Sequence, residues 1–270
     1  MNLKGQWVWV TGASSGLGLA MCQQLAKLGA NLLVTARRVD RLEALAVELR
    51  ASGVEVQVLP GDMSQSADVE RVLGVAKQLP LAAIVLNAGV THFGHHHELG
   101  WEAFEAMLHT NVISTTRLTS ELVKHYQATG ASARIMLVTS LTGLIPLPFQ
   151  AAYSATKAFV TSYGTAMAHE LRGSNVSVTV FAPGGIVTEQ TAGSRYDGLR
   201  SWLAPVDAVA REAIGALGAR QPLHIQGLLN RVGFLLFRLL PRNFVINQVG
   251  GRYRKAMAAE AKAGSAPAKK

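Results

Sequence analysis

The stretch Trp7-Val8-Trp9-Val10-Thr11-Gly12-Ala13-Ser14-Ser15-Gly16-Leu17-Gly18 decides how the chain is read. Four apolar residues give a short strand pattern, which breaks at Thr11-Gly12 into a turn of glycine and serine. An amphipathic pattern over 17–28 follows, so the turn joins a strand to a helix. Glycines allow a tight turn and close backbone approach, and the helix N-terminus offers unpaired N–H groups and the positive end of a dipole to a pyrophosphate. Such turns also serve as plain connectors. Its place between strand and helix is what favours phosphate.

The alternation continues down the chain. Apolar runs at 7–10, 31–35, 54–59, 81–86, 134–138 and 176–181 are continuous in Val, Leu and Ile, as expected of parallel strands covered on both faces. Helical patterns lie between them at 17–28, 40–50, 66–77, 101–127 and 153–172. Asp40 and Glu43 have capping-box spacing before the Leu42/Leu45/Leu49 stripe. This is the pattern of an α/β fold, a Rossmann-type doubly wound parallel sheet. We expect a single domain over 1–225, an amphipathic helical C-terminal extension over 226–255, and a disordered basic Ala/Lys-rich tail over 256–270, with a fraying helix at its start.

Composition narrows the class. The 270 residues are 49% hydrophobic and 16% charged, which excludes a disordered chain. The lone Cys22 can form neither an intrachain disulfide nor a Cys-rich zinc site, so a reducing, cytoplasmic setting is expected. The first residues do not read as a secretory signal, and no run reaches the length of a membrane span. The formal charge is +9, and residues 252–270 concentrate six basic residues against Glu260. A basic end of this kind reads as a solvated tail, and no nucleic-acid partner is expected.

Tyr153 and Lys157 stand four apart on a helical pattern and so share one face. A phenol titrates near pH 10, too high for a base at neutral pH, and a neighbouring ammonium lowers that value. Ser140, thirteen residues before the tyrosine at the end of a strand pattern, is placed to hydrogen-bond a substrate oxygen. Alone, a Tyr/Lys pair is commonplace on exposed helices; together with Ser140 and the glycine turn it reads as catalytic.

In order and spacing, Thr11-Gly12-Ala13-Ser14-Ser15-Gly16-Leu17-Gly18, Asn87-Ala88-Gly89, Asn111, Ser140, Tyr153-Ser154-Ala155-Thr156-Lys157 and Pro183-Gly184 resemble the classical short-chain dehydrogenase/reductase family over roughly residues 5–220. The resemblance implies a hydride-transferring oxidoreductase with Asn111, Ser140, Tyr153 and Lys157 as catalytic residues, Asn111 assisting a water-linked proton relay through the lysine. It implies cofactor binding by Gly12, Ser14, Ser15, Gly16, Leu17 and Gly18, by Asp62 at the adenine, and by Asn87, Ala88 and Gly89 beside the adenosine ribose. Tyr153 and Lys157 would reach the cofactor too. Pro183, Gly184, Ile186 and Thr188 would orient the nicotinamide.

Cofactor choice is read at the end of the second strand. An acid there would bind the ribose hydroxyls of NAD, whereas arginine accommodates a 2′-phosphate. Thr35-Ala36-Arg37-Arg38 holds no acid, so NADP(H) is expected, with Arg37 on the phosphate and Arg38 stacking on the adenine. The substrate is expected to be a small-molecule carbonyl or alcohol. A lid over 187–203, with Tyr196, Leu199, Trp202 and Leu203, suggests a hydrophobic one. A 3-oxoacyl thioester reductase is the rival enzyme; a non-catalytic nucleotide sensor or scaffold is the rival of another class. A homo-oligomer, dimer or tetramer, is expected.

Two features lie outside the family pattern. His92, His95, His96 and His97 cluster without helical ligand spacing, so no metal is expected, and pocket lining or an incidental loop are the alternatives. Residues 227–240 carry seven apolar residues on one broad helical face, with Arg231 and Arg238 on the other. Three readings of this segment stand open: packed beside the lid, buried between subunits, or lying peripherally on the inner membrane face.

Overall fold

The computed structural model describes residues 1–264, with the backbone alone at 194–196 and 259–264. Seven strands form one parallel sheet: β1 (Trp7–Thr11), β2 (Asn31–Thr35), β3 (Val56–Val58), β4 (Leu81–Leu86), β5 (Ala133–Val138), β6 (Val176–Ala182) and β7 (Leu223–Ile225). Their order is β3-β2-β1-β4-β5-β6-β7. The winding reverses between β1 and β4, and a doubly wound sheet binds its ligand at such a switch point, outside the carboxyl ends of the strands.

Alternate residues of each strand feed two cores. Val8, Val10, Leu32 and Val34 pack under α1 (Gly16–Lys27), α2 (Val39–Arg50) and α7 (Val206–Ala219). Trp9, Leu33 and Ile84 pack under α3 (Ser66–Ala76), α5 (Thr115–Thr129) and α6 (Ala151–Glu170). This two-sided cover is why the strands read as unbroken apolar runs. Trp9 is fully buried, and its indole N–H is satisfied by Thr35 Oγ1 at 2.9 Å. Cys22 is buried in the first core, and burial pushes its thiol pKa well up.

The structure departs from the sequence reading at several elements. β3 is shorter than expected, and β7 and α7 were not anticipated. The single helix expected over 101–127 is α4 (Trp101–Leu108), a π-helical turn (His109–Ser114) and α5. The capping box is not formed: α2 is entered from Arg38, whose side chain is bonded to Ser14, and Asp40 lies in the first turn without a cap hydrogen bond. At the C-terminal end, α8 (Leu228–Phe237) is followed by α9 (Arg242–Gly264). The tail expected from 256 is therefore helical as far as Gly264, and Ala256 is buried with Phe93 and Leu199. Residues 265–270 of that tail lie outside the described residues.

Candidate active site

At the carboxyl ends of the strands lies a cleft of about 1040 Å³. Its floor is the glycine turn. Gly12 has φ +69°, and a Cβ there would stand 2.8 Å from Asn87 Nδ2 and 2.9 Å from Ala88 Cα. A Cβ on Gly18 would overlap the Gly12 carbonyl oxygen, so α1 packs flush against the turn only because Gly18 has no side chain. Ser14, Ser15, Gly16 and Leu17 line the cleft, and the first turn of α1 carries no acid to compete for its free N–H groups. Thr188 closes over the turn, its Cγ2 3.2 Å from where a Gly16 Cβ would be.

Asn87, Ala88 and Gly89 also line the cleft. The Asn87 amide donates to the carbonyls of Thr11 at 3.1 Å and Gly12 at 3.4 Å, while Thr11 Oγ1 accepts from the N–H groups of Asn87 and Ala88. The side chain thus fixes the turn to the end of β4. Asp62 Oδ1 accepts from the N–H and O–H of Ser64, both at 2.9 Å. Its Oδ2 faces Arg37 at 3.9 Å.

Arg38, not Arg37, reaches the glycine turn, donating to Ser14 Oγ at 3.2 Å, while Arg37 stands exposed beside Asp62. Glu189, across the cleft mouth, receives Arg41 at 2.7 Å and lies 3.5 Å from Arg38. The hydrogen bond from Arg41 holds the Glu189 carboxyl below the usual range.

At the other end of the cleft, Ser140, Tyr153 and Lys157 come together on its wall. Ser140 Oγ accepts from the Thr142 N–H at 3.2 Å, which leaves its own O–H to donate. Lys157, one turn along α6 from Tyr153, is buried, with its ammonium 5.8 Å from the centre of the Tyr153 ring. It donates to the Val138 carbonyl at 2.9 Å. Desolvation brings its pKa down to about 8, so the amine is still mainly protonated at neutral pH.

Asn111 lies in the π-helical turn, a distortion frequent at functional sites. Its amide donates to the Val90 carbonyl at 2.9 Å and to Thr156 Oγ1 at 3.0 Å, and its Oδ1 accepts from the Val90 N–H at 2.9 Å. Both amide hydrogens are committed.

Leu141, Ile145, Leu147, Leu203, Phe234 and Phe237 give the cleft an apolar wall. Of the expected lid residues, Leu199, Trp202 and Leu203 line it, and the Tyr196 side chain lies outside the described residues. Trp202 is stacked under Arg252 of α9 at 3.8 Å. Pro183, Gly184 and Ile186 run along the same wall.

The short chain dehydrogenase family profile matches residues 6–197. The chain belongs to this family. It is 32% identical over 192 residues to a 7beta-hydroxysteroid dehydrogenase of Collinsella aerofaciens, covering 70% of this chain and 73% of that one. A solved 7beta-hydroxysteroid dehydrogenase superposes with a TM-score of 0.83 at 27% identity, covering 93% of this chain and all of the other. A short-chain dehydrogenase of Sphingobium yanoikuyae in complex with NADPH superposes at 0.75, with 26% identity and 86% and 92% coverage. The chain is an NAD(P)-dependent oxidoreductase acting between secondary alcohols and ketones.

Some cleft residues of this dehydrogenase escaped the sequence reading. Gln226 Oε1 accepts from the Gly184 N–H at 3.4 Å, and Asn230 of α8 donates to the Gln226 carbonyl at 2.8 Å. Both line the cleft and tie α8 to the Pro183-Gly184 stretch. The one visible signal was Asn230, a polar residue interrupting an apolar run. The histidine cluster packs on aromatics, His95 edge-on to Phe149 and His96 to Phe104. Among the described residues no group of three potential ligands is placed to hold a metal ion.

Proposed function

We propose that this dehydrogenase uses NADP(H) and acts on a bulky hydrophobic ketone or secondary alcohol. The observation that carries the reading is that one cleft has the glycine turn, Ser140, Tyr153 and Lys157, and apolar side chains all in its lining. The residues fit a dinucleotide. Gly12, Gly16 and Gly18 leave a cradle a Cβ would fill, Ser14, Ser15 and Leu17 ring it, and Asp62, Asn87, Ala88 and Gly89 extend it past the switch point. Arg38, held on Ser14, and Arg37 supply positive charge for a 2′-phosphate, and Ile186 and Thr188 border the nicotinamide end.

When bound, the cofactor supplies or accepts the hydride at the carbinol carbon. The chain handles the proton. In reduction the Ser140 O–H donates to the carbonyl oxygen and orients it, and the Tyr153 O–H gives that oxygen its proton. Lys157, cationic beside Tyr153, favours the resulting phenolate, bringing the phenol into the range useful for acid–base work. Asn111 acts as a positioning residue; with its amide spent on Val90 and Thr156, any part in a proton relay falls to its main chain.

The hydroxysteroid relative and the apolar wall together favour a rigid, sterol-like substrate. We also read the protein as a cytoplasmic homo-oligomer, on its one buried free cysteine and on the half-exposed Ile113 and Phe159 of neighbouring elements. The test is turnover with NADPH and NADH, and with their oxidised forms, against sterol ketones and alcohols, 3-oxoacyl thioesters and small ketones. NADP(H)-dependent turnover fastest on the sterols supports the reading. Turnover confined to NAD(H), or to small ketones or thioesters, contradicts it.

A further inference from the structure

α8 has two apolar faces and only one is covered. Asn230, Gly233, Phe234 and Phe237, at helical spacing, line the cleft. On the opposite side Val232, Leu235, Leu236 and Leu239 face solvent, Leu239 at 82% exposure. The strip runs on through Leu240 and Phe244 at the start of α9, both exposed. A soluble chain rarely shows so many large apolar side chains in one strip without a use for them.

The two faces meet at the cleft mouth. Leu228 and Leu229 line the cleft, and yet Leu229 is 85% exposed. The charge carried by this segment is of one sign. From 227 to 259 the chain has six basic residues and no acid. Arg231 is paired with Glu212 and Arg252 lies on Trp202, while Arg238, Arg242, Arg254 and Lys255 are exposed. Arg231 and Arg238 follow one edge of α8, seven residues apart. Among the described residues no helix is long and apolar enough to cross a membrane. An amphipathic segment with apolar residues on one side and arginines at its border instead suits the interface of a bilayer.

We propose that α8 seats the mouth of the cleft on an anionic lipid surface, so that a lipophilic substrate passes between Leu228 and Leu229 without crossing water. A second copy of this chain is the lesser fit. Two such faces brought together would gather the Arg238 and Arg242 of both copies at one interface, with no acid in 227–259 to neutralise them. Anionic headgroups supply that charge. The proposal goes beyond the oxidoreductase reading and is tested without turnover.

The experiment is co-sedimentation of the full chain with vesicles of phosphatidylcholine, with and without phosphatidylglycerol. Two variants accompany it: L235Q/L236Q/L239Q, at positions outside the cleft lining, and R238Q/R242Q. The wild type is expected on the anionic vesicles. The leucine variant is expected to bind at least about tenfold more weakly, with NADPH titration unchanged, and the arginine variant to lose roughly 30-fold of its anionic preference. Wild-type protein that stays in solution overturns the proposal, as does a leucine variant that binds as well as wild type. A wild-type dimer that the leucine changes convert to monomer, with neither binding vesicles, overturns it in favour of a subunit interface.

Discussion

The Lys157 ammonium donates to the Val138 carbonyl at 2.9 Å, so the last residue of β5 holds the amine of α6 in place. A Cβ on Gly89 would stand 3.3 Å from that nitrogen, so the end of β4 closes the site from the other side. Burial so complete has a consequence for pH. Lys157 loses its proton near pH 8 in the folded chain and near 10.5 when exposed. Between those values the unfolded chain binds more protons, and stability rises with pH. In a Tyr153→Phe background, which removes the phenol's own titration, Lys157→Met abolishes that rise. Thermal unfolding from pH 7.5 to 10 should show the lysine form gaining on the methionine form. Parallel curves would mean the amine is not buried as described.

Gly18→Ala should disable cofactor binding while the fold survives. Its Cβ would collide with the Gly12 carbonyl, so the turn must move to make room. Overpacking of this kind costs about 1–3 kcal/mol. Urea unfolding measures that loss, and NADPH fluorescence titration should show affinity falling along with it. Wild-type affinity in the variant would show that the turn does not hold the phosphates.

Arg37→Asp should move cofactor preference from NADP toward NAD. One charge-assisted hydrogen bond to phosphate is worth about 1.5–3 kcal/mol, or roughly 10- to 150-fold in relative affinity. Arg38→Ala should weaken NADP as well, since its guanidinium sits on Ser14 at the turn. Competitive titration of both cofactors measures this. A wild-type protein that already prefers NAD would remove the 2′-phosphate role from both arginines.

Most of the sheet was legible because parallel strands buried on both faces read as apolar runs with no polar alternation. β7 was not: Leu223-His224-Ile225 is three residues long with a histidine at its centre, and it is a strand only because it pairs with β6. α7 buries mainly small residues, Ala210, Ala213 and Ala216 among them, which make a faint stripe. The Tyr153/Lys157 pair was legible because helical spacing is local. The bond between Arg41 and Glu189, 148 residues apart, was not. The apolar pattern of α8 could not say which face turns inward. Phe234 and Phe237 enter the cleft because Asn230 anchors that side of the helix to Gln226.

If Tyr153 carries the proton in a cleft that holds NADP(H), single-turnover oxidation of bound NADPH with a sterol ketone reads its loss. Tyr153→Phe removes one oxygen and leaves the glycine turn, Arg38 and the apolar wall in place. NADPH affinity should stay close to wild type and the hydride-transfer rate should fall by about 10²–10⁴-fold, the range of a lost general acid. A phenylalanine variant that transfers hydride at the wild-type rate would contradict it.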